Sequence, residues 1–142
     1  TTSFLIFQIQ KKQKKKSIMY IWTITNWWCI DILKEGQAIS AKLPFKNGTI
    51  ARYNRPYLIT KVYRNNEVDL IDVSSIKGKE HKLLFPTNHE LSIYNPPFLK
   101  PSFVKLDSLR KIDSGMISYA LLHKGELLNS NDLNEIRRKL YR

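Results

Sequence analysis

Arg55 is the residue of this chain best suited to chemistry on a phosphate. It heads the apolar run Arg55-Pro56-Tyr57-Leu58-Ile59 and follows a basic loop, Lys46 to Asn54. A guanidinium offers a planar fork of donors and a permanent charge, which match the oxygens of a phosphate. Further along, Val73-Ser74-Ser75 puts two hydroxyls at the end of another apolar run, followed by Lys77-Gly78-Lys79. If the two runs pair as a hairpin around Asn65-Asn66, its open end holds Arg55, 10 residues before Asn65, near Ser74 and Ser75, the latter 9 residues after Asn66. The register is thus nearly matched. Together with Lys46, Arg52, Lys77 and Lys79, this pair reads as a site for phosphate. The same residues also fit an ordinary arginine at a strand start and a Ser-Ser turn.

Other chemistries find little support. The sequence has no P-loop, no GxGxxG, no HExxH and no GxSxG elbow. His81, His89 and His123 are scattered, so neither a metal nor a cofactor is expected. The lone Cys29 excludes an internal disulfide and a multi-cysteine zinc site. Asn47-Gly48-Thr49 fits a glycosylation sequon, but nothing else points to secretion, and a cytoplasmic protein is expected. The balance of charge does point somewhere. The chain carries 24 Lys and Arg against 12 Asp and Glu, a net +12, which favours a polyanionic partner.

The elements that must hold these residues begin near Gly36. Residues 1–35 form a separate segment. In it a lysine run, Lys11 to Lys16, precedes the aromatic-rich stretch Ile18 to Ile30. That stretch is broken by Thr23, Thr25 and Asn26 and falls short of the about 20 apolar residues of a membrane span, so no insertion is expected. It reads as an appendage, or as sequence upstream of a natural start such as Met19. Residues 36–142 carry 18 basic and 10 acidic residues, so the domain is itself basic, at +8.

Within that domain the spacing predicts strands over Ile39–Leu43, Tyr57–Tyr63, Val68–Val73, His81–Phe85, Glu90–Tyr94 and Ser102–Leu109. It predicts a helix over Gly115–His123 and another carrying Leu133, Ile136 and Leu140, capped by Ser130 or Asn131. Short strands without a βαβ alternation indicate a small, strongly bent sheet or barrel.

Gly36-Gln37-Ala38-Ile39, Leu43-Pro44-Phe45 and Arg55-Pro56-Tyr57-Leu58-Ile59 resemble the MazF/PemK family of toxin endoribonucleases. Val73-Ser74-Ser75 falls where that family has its Thr/Ser strand end. Ser102 to Asp113 is similar to its last strand, and Leu133 to Leu140 to its C-terminal helix. The resemblance implies a small SH3-like barrel with peripheral and C-terminal helices, working as a homodimer. It implies metal-independent cleavage of single-stranded RNA and an antitoxin whose acidic tail covers the RNA groove. Carried over by position, Arg55 and Ser75 are the catalytic pair with Ser74 beside them; Lys46, Arg52, Lys77, Lys79 and Ser102 are the residues expected to contact RNA. The loop Lys46 to Asn54 departs from the family's frequent Gly-Ser-Glu run. Two alternatives share the fold: a non-catalytic toxin acting on a protein such as DNA gyrase, and an SH3-like RNA-binding module.

Overall fold

A computed structural model describes residues 32–45 and 47–142. Residues 1–31, which hold most of the expected extension and Cys29, lie outside the described residues, as does Lys46. Leu33–Arg142 form one compact unit, mainly antiparallel β with a single C-terminal α-helix. In chain order the strands are β1 Ala38–Ala41, β2 Arg55–Val62, β3 Glu67–Ser75, β4 Asn88–Glu90, β5 Ser102–Lys105, β6 Arg110–Asp113 and β7 Tyr119–Leu121, and the helix is α1 Ser130–Leu140. They form one sheet in the order β4-β5-β3-β2-β1-β7, with β6 also on β3. The expected peripheral helices are short 3₁₀ turns.

The long strand β3 organises the sheet. One edge pairs with β2, from Tyr57↔Asp72 to Val62↔Val68. The other edge is shared: β5 takes its C-terminal part, Val73 to Ser75, and β6 its N-terminal part, Glu67 to Leu70. The predicted strand Ser102–Leu109 is therefore interrupted, by the turn Leu106–Ser108. At the break Ser108 replaces the missing ladder. Its hydroxyl accepts from the Asp72 N–H at 2.8 Å and donates to the Lys105 carbonyl at 2.6 Å.

Both faces of the sheet are buried, which is why β2 and β3 read as nearly continuous apolar runs. Successive strand residues point to opposite sides. Leu58, Ile71, Val73 and Val104 enter one core with Leu128 and Ile136 of the C-terminal segment. Tyr57, Ile59, Val68 and Leu70 enter the other, with Leu33, Ile39 and Leu43. Leu33 already belongs to this packing. Glu35 pairs with Arg137 and accepts from the Val62 N–H at 3.2 Å.

Four expectations are corrected. His81–Phe85 is a 3₁₀ turn over Glu80–Leu84, with Leu84 exposed. The strand expected over Glu90–Tyr94 occupies Asn88–Glu90 instead. The Leu91 N–H still reaches the Ser102 carbonyl, but the Ser92 N–H turns to Asp132. Gly115–His123 holds no α-helix, only parts of the 3₁₀ turns Ser114–Met116 and Leu122–Gly125. Ile117, Tyr119 and Leu121 are partly buried in alternation, and β7 pairs Tyr119 and Leu121 with Ala41 and Ile39. Finally, α1 is capped by Asn129, whose side-chain oxygen accepts from the Asp132 N–H at 2.9 Å.

Ile136 is the fully buried residue of α1 and closes the first core. Ile136→Ala is expected to lower the unfolding free energy by about 2–5 kcal/mol in chemical denaturation. A loss well under ~1 kcal/mol would mean that α1 is not needed to close that core.

Candidate functional site

Arg55 opens β2, with its backbone opposite Ala41 of β1. Its guanidinium lies over two rings, 5.3 Å from the Phe45 centroid and 5.2 Å from that of Tyr53. Its Nε is shielded from water with no hydrogen-bond partner among the described residues. A buried donor left unpaired is unfavourable.

The hydroxyl opposite Arg55 is decided by a β-bulge. Near the turn, Lys61 pairs with Asp69 and Val62 with Val68, and that register alone would bring Arg55 opposite Ser75. Between Ile59 and Lys61 the register shifts by one residue, so Ile59 pairs with Leu70 and Tyr57 with Asp72. Continued two residues further, the shifted register sets Ser74 across from Arg55. Ser75 then faces the other side of the sheet, since neighbours on a strand alternate. The bulge residue is Thr60. It is buried, its carbonyl accepts from Arg137 Nη1 at 3.1 Å, and its hydroxyl meets the Tyr141 hydroxyl at 2.9 Å.

Lys79 completes the cluster. The segment Ile76–Lys79 turns back on itself, with the Lys79 N–H donating to the Ile76 carbonyl at 2.7 Å. Gly78 takes φ +77°, where other residues are strained. The turn returns Lys79 to the strand end, and its Nζ donates to Ser74 Oγ at 2.9 Å. Lys77 and Arg52 are exposed on their loops. Ser102 is a correction. It is buried, it pairs with Ser75 rather than Ser74, and its hydroxyl donates to the Lys100 carbonyl at 2.8 Å. It therefore lies away from the Arg55 face.

Three residues beside Arg55 were not singled out in the sequence as site residues: Tyr57, Asp72 and Arg110. Arg110 donates to the Pro44 carbonyl and, at 3.4 Å, to the Tyr57 hydroxyl, with its guanidinium 5.5 Å from the Tyr57 ring centroid. Burial pushes the Tyr57 phenol up from its ordinary range. Asp72 adds to that rise, while Arg110 and Arg55 pull the other way. Phe45, Asp72, Asp107, Ser108, Leu109 and Arg110 line a cleft of about 260 Å³. A signal for Asp72 did exist, since it is a carboxylate in an otherwise apolar strand end, Leu70 to Val73. The histidines do not assemble. His89 contacts Lys139 and Asp132 at the helix, and no group of His, Cys, Asp and Glu suited to a metal occurs among the described residues. No helix among the described residues is long and apolar enough to cross a membrane.

No protein-family model and no curated protein matches this sequence. Solved structures do. A chain from the crystal structure of MazE–MazF from Deinococcus radiodurans superimposes with a TM-score of 0.51 and 19% identity, covering 77% of this chain and 91% of that one. The fold is MazF-like. An endoribonuclease in complex with its cognate antitoxin from a mycobacterial species aligns with a TM-score of 0.47 and 16% identity over 75% of this chain and 91% of that one. On the MazF-like fold, the segments that carry the sequence resemblance become β1, β2, the end of β3, β5–β6 and α1.

Proposed function

We propose that this chain is a toxin endoribonuclease. It cuts single-stranded RNA at a short sequence by attack of the RNA's own 2′-OH on the adjacent phosphate. It works as a homodimer and is restrained by an antitoxin with an acidic tail. The observation that carries this reading is Arg55, a guanidinium with an unpartnered buried Nε, across the strand end from a Ser74 hydroxyl already touched by Lys79. The MazF-like fold supports it as well.

RNA brings its nucleophile with it, so the protein need only hold the phosphate and stabilise charge as the pentavalent centre forms. Arg55 does the latter with a planar fork and a charge that persists at any working pH. Ser74 and Lys79 hold a phosphate oxygen. The net +8 over residues 36–142 draws in RNA and, in its absence, an acidic protein segment.

Incubation with a defined single-stranded RNA in EDTA tests the reading. The expected result is cutting at a small set of sites that leaves 2′,3′-cyclic phosphate ends. Intact RNA across a pool of varied sequences would refute it and favour a binding module or a toxin aimed at a protein. Ser74→Ala is expected to slow single-turnover cleavage by about 10²-fold, and Ser75→Ala to leave it nearly unchanged. An equal or larger loss at Ser75 would contradict the pairing that the Thr60 bulge imposes.

A further inference from the structure

Beside the Arg55 face lies an acceptor that the fold leaves unsatisfied. Asp72 precedes Ser74 by two residues and shares its side of β3. Its N–H is taken by Ser108, but its carboxylate makes no hydrogen bond or ion pair among the described residues, and Oδ1 is shielded from water without a partner. The chain's other interior carboxylates are well served. Asp69 receives the hydroxyls of Tyr141 and Tyr63 at 2.7 and 2.9 Å. Asp132 receives the N–H and hydroxyl of Ser92 and the amide of Asn129, each within 3.0 Å. An inward carboxylate with no donor is unfavourable, and a donor entering the cleft would relieve it.

The cleft's chemistry narrows what enters. At about 260 Å³ it is smaller than the ~300–1,000 Å³ of drug-sized sites and suits a single planar base. Leu109 and Phe45 give it partly exposed apolar walls. Arg110 directs donors to Pro44 and Tyr57, and the Ser108 hydroxyl is used by Lys105 and Asp72. The acceptors left open among the lining residues are the carboxylates of Asp72 and Asp107, which favour a donor edge. Guanine has two adjacent donors, N1–H and N2–H, matched to the two oxygens of one carboxylate. Adenine and cytosine set a ring acceptor next to their amino group, and uracil flanks its single N–H with carbonyls.

We propose that this cleft binds a guanine next to the scissile phosphate, with the Asp72 carboxylate turned into the cleft to accept from N1–H and N2–H. The proposal rests on the ribonuclease reading of the Arg55 face. Its test is sequencing of the cut ends from a randomised single-stranded RNA pool, with wild type and Asp72→Asn. Wild type is expected to require guanine at one fixed position beside the cut. Inosine there, lacking the N2 amino group, should lower kcat/KM about tenfold or more. Asp72→Asn turns an N–H donor toward the base's donors and should reduce the guanine preference about tenfold or more while cuts spread to other sequences. A melting curve checks that the variant is folded. Cutting by wild type without guanine preference, an unchanged preference in Asp72→Asn, or a uniform loss of cutting at every sequence in folded Asp72→Asn would each overturn the proposal. Should wild type cut no RNA, the ribonuclease reading fails and the cleft is tested directly by NMR titration. Guanosine monophosphate should shift the Asp72 and Ser108 amides, adenosine monophosphate should not, and Asp72→Asn should lose the difference. Equal shifts with both nucleotides would overturn the guanine proposal.

Discussion

Arg55→Ala is expected to slow RNA cleavage by about 10³-fold or more and to leave the fold intact. Removing one donor aimed at developing charge costs about 10²–10³ in rate, and Arg55 carries a full charge besides. The fold should survive because the fold gives Arg55 little to hold. It stands at the end of β2, it is in no ion pair among the described residues, and its Nε has no partner. Its contacts with Phe45 and Tyr53 are stacking contacts of the guanidinium plane, worth about 0.5–1 kcal/mol each at exposed rings. Arg55→Lys is expected to recover little, because an ammonium has no bidentate fork and a shorter reach. Single-turnover rates and melting temperatures check both statements. A folded Arg55→Ala that keeps a tenth or more of the rate would remove Arg55 from the chemistry.

The parts of this fold legible in the sequence are those where one signal dominates. The apolar runs at Tyr57–Ile59 and Leu70–Ile71 are strands because both faces of the sheet are covered, and Leu133, Ile136 and Leu140 mark the one face of α1 that packs. Arg55 was legible as a polar residue at a loop-to-strand junction followed by Pro56. Its partner was not. A count outward from Asn65-Asn66 leads only to the neighbourhood of Ser74 and Ser75, and the bulge at Thr60 sets the pairing at Ser74. The helix expected over Gly115–His123 came from reading Met116, Ile117, Ala120 and Leu121 at a helical period. The same stretch carries Ile117, Tyr119 and Leu121 at a period of two, and the free edge of β1 selects the strand. Asp72 went unread for a different reason. A carboxylate in an apolar run matters only if nothing satisfies it. Asp69, three residues earlier in the same strand, is satisfied by tyrosines 6 and 72 residues away in sequence.

A 2′-deoxy substitution at the cleaved nucleotide is expected to stop cleavage while the oligonucleotide still binds. Arg55, Ser74 and Lys79 can hold a phosphate and its charge, and the basic surface around them can hold the strand. Attack by water would require a group to take its proton and aim it. Asp72 lies in the cleft with Phe45, Leu109 and Arg110 rather than across the strand end from Arg55. The 2′-OH is already tethered next to its phosphate, and tethering of this kind is worth a large effective concentration. Removing it removes the nucleophile and leaves nearly every contact to phosphate in place. Binding measured by anisotropy should therefore change little, while the rate falls below detection. Undiminished cleavage of the deoxy analogue would sink attack by the 2′-OH. It would assign the chemistry to water and make Asp72 the first residue to test as its base.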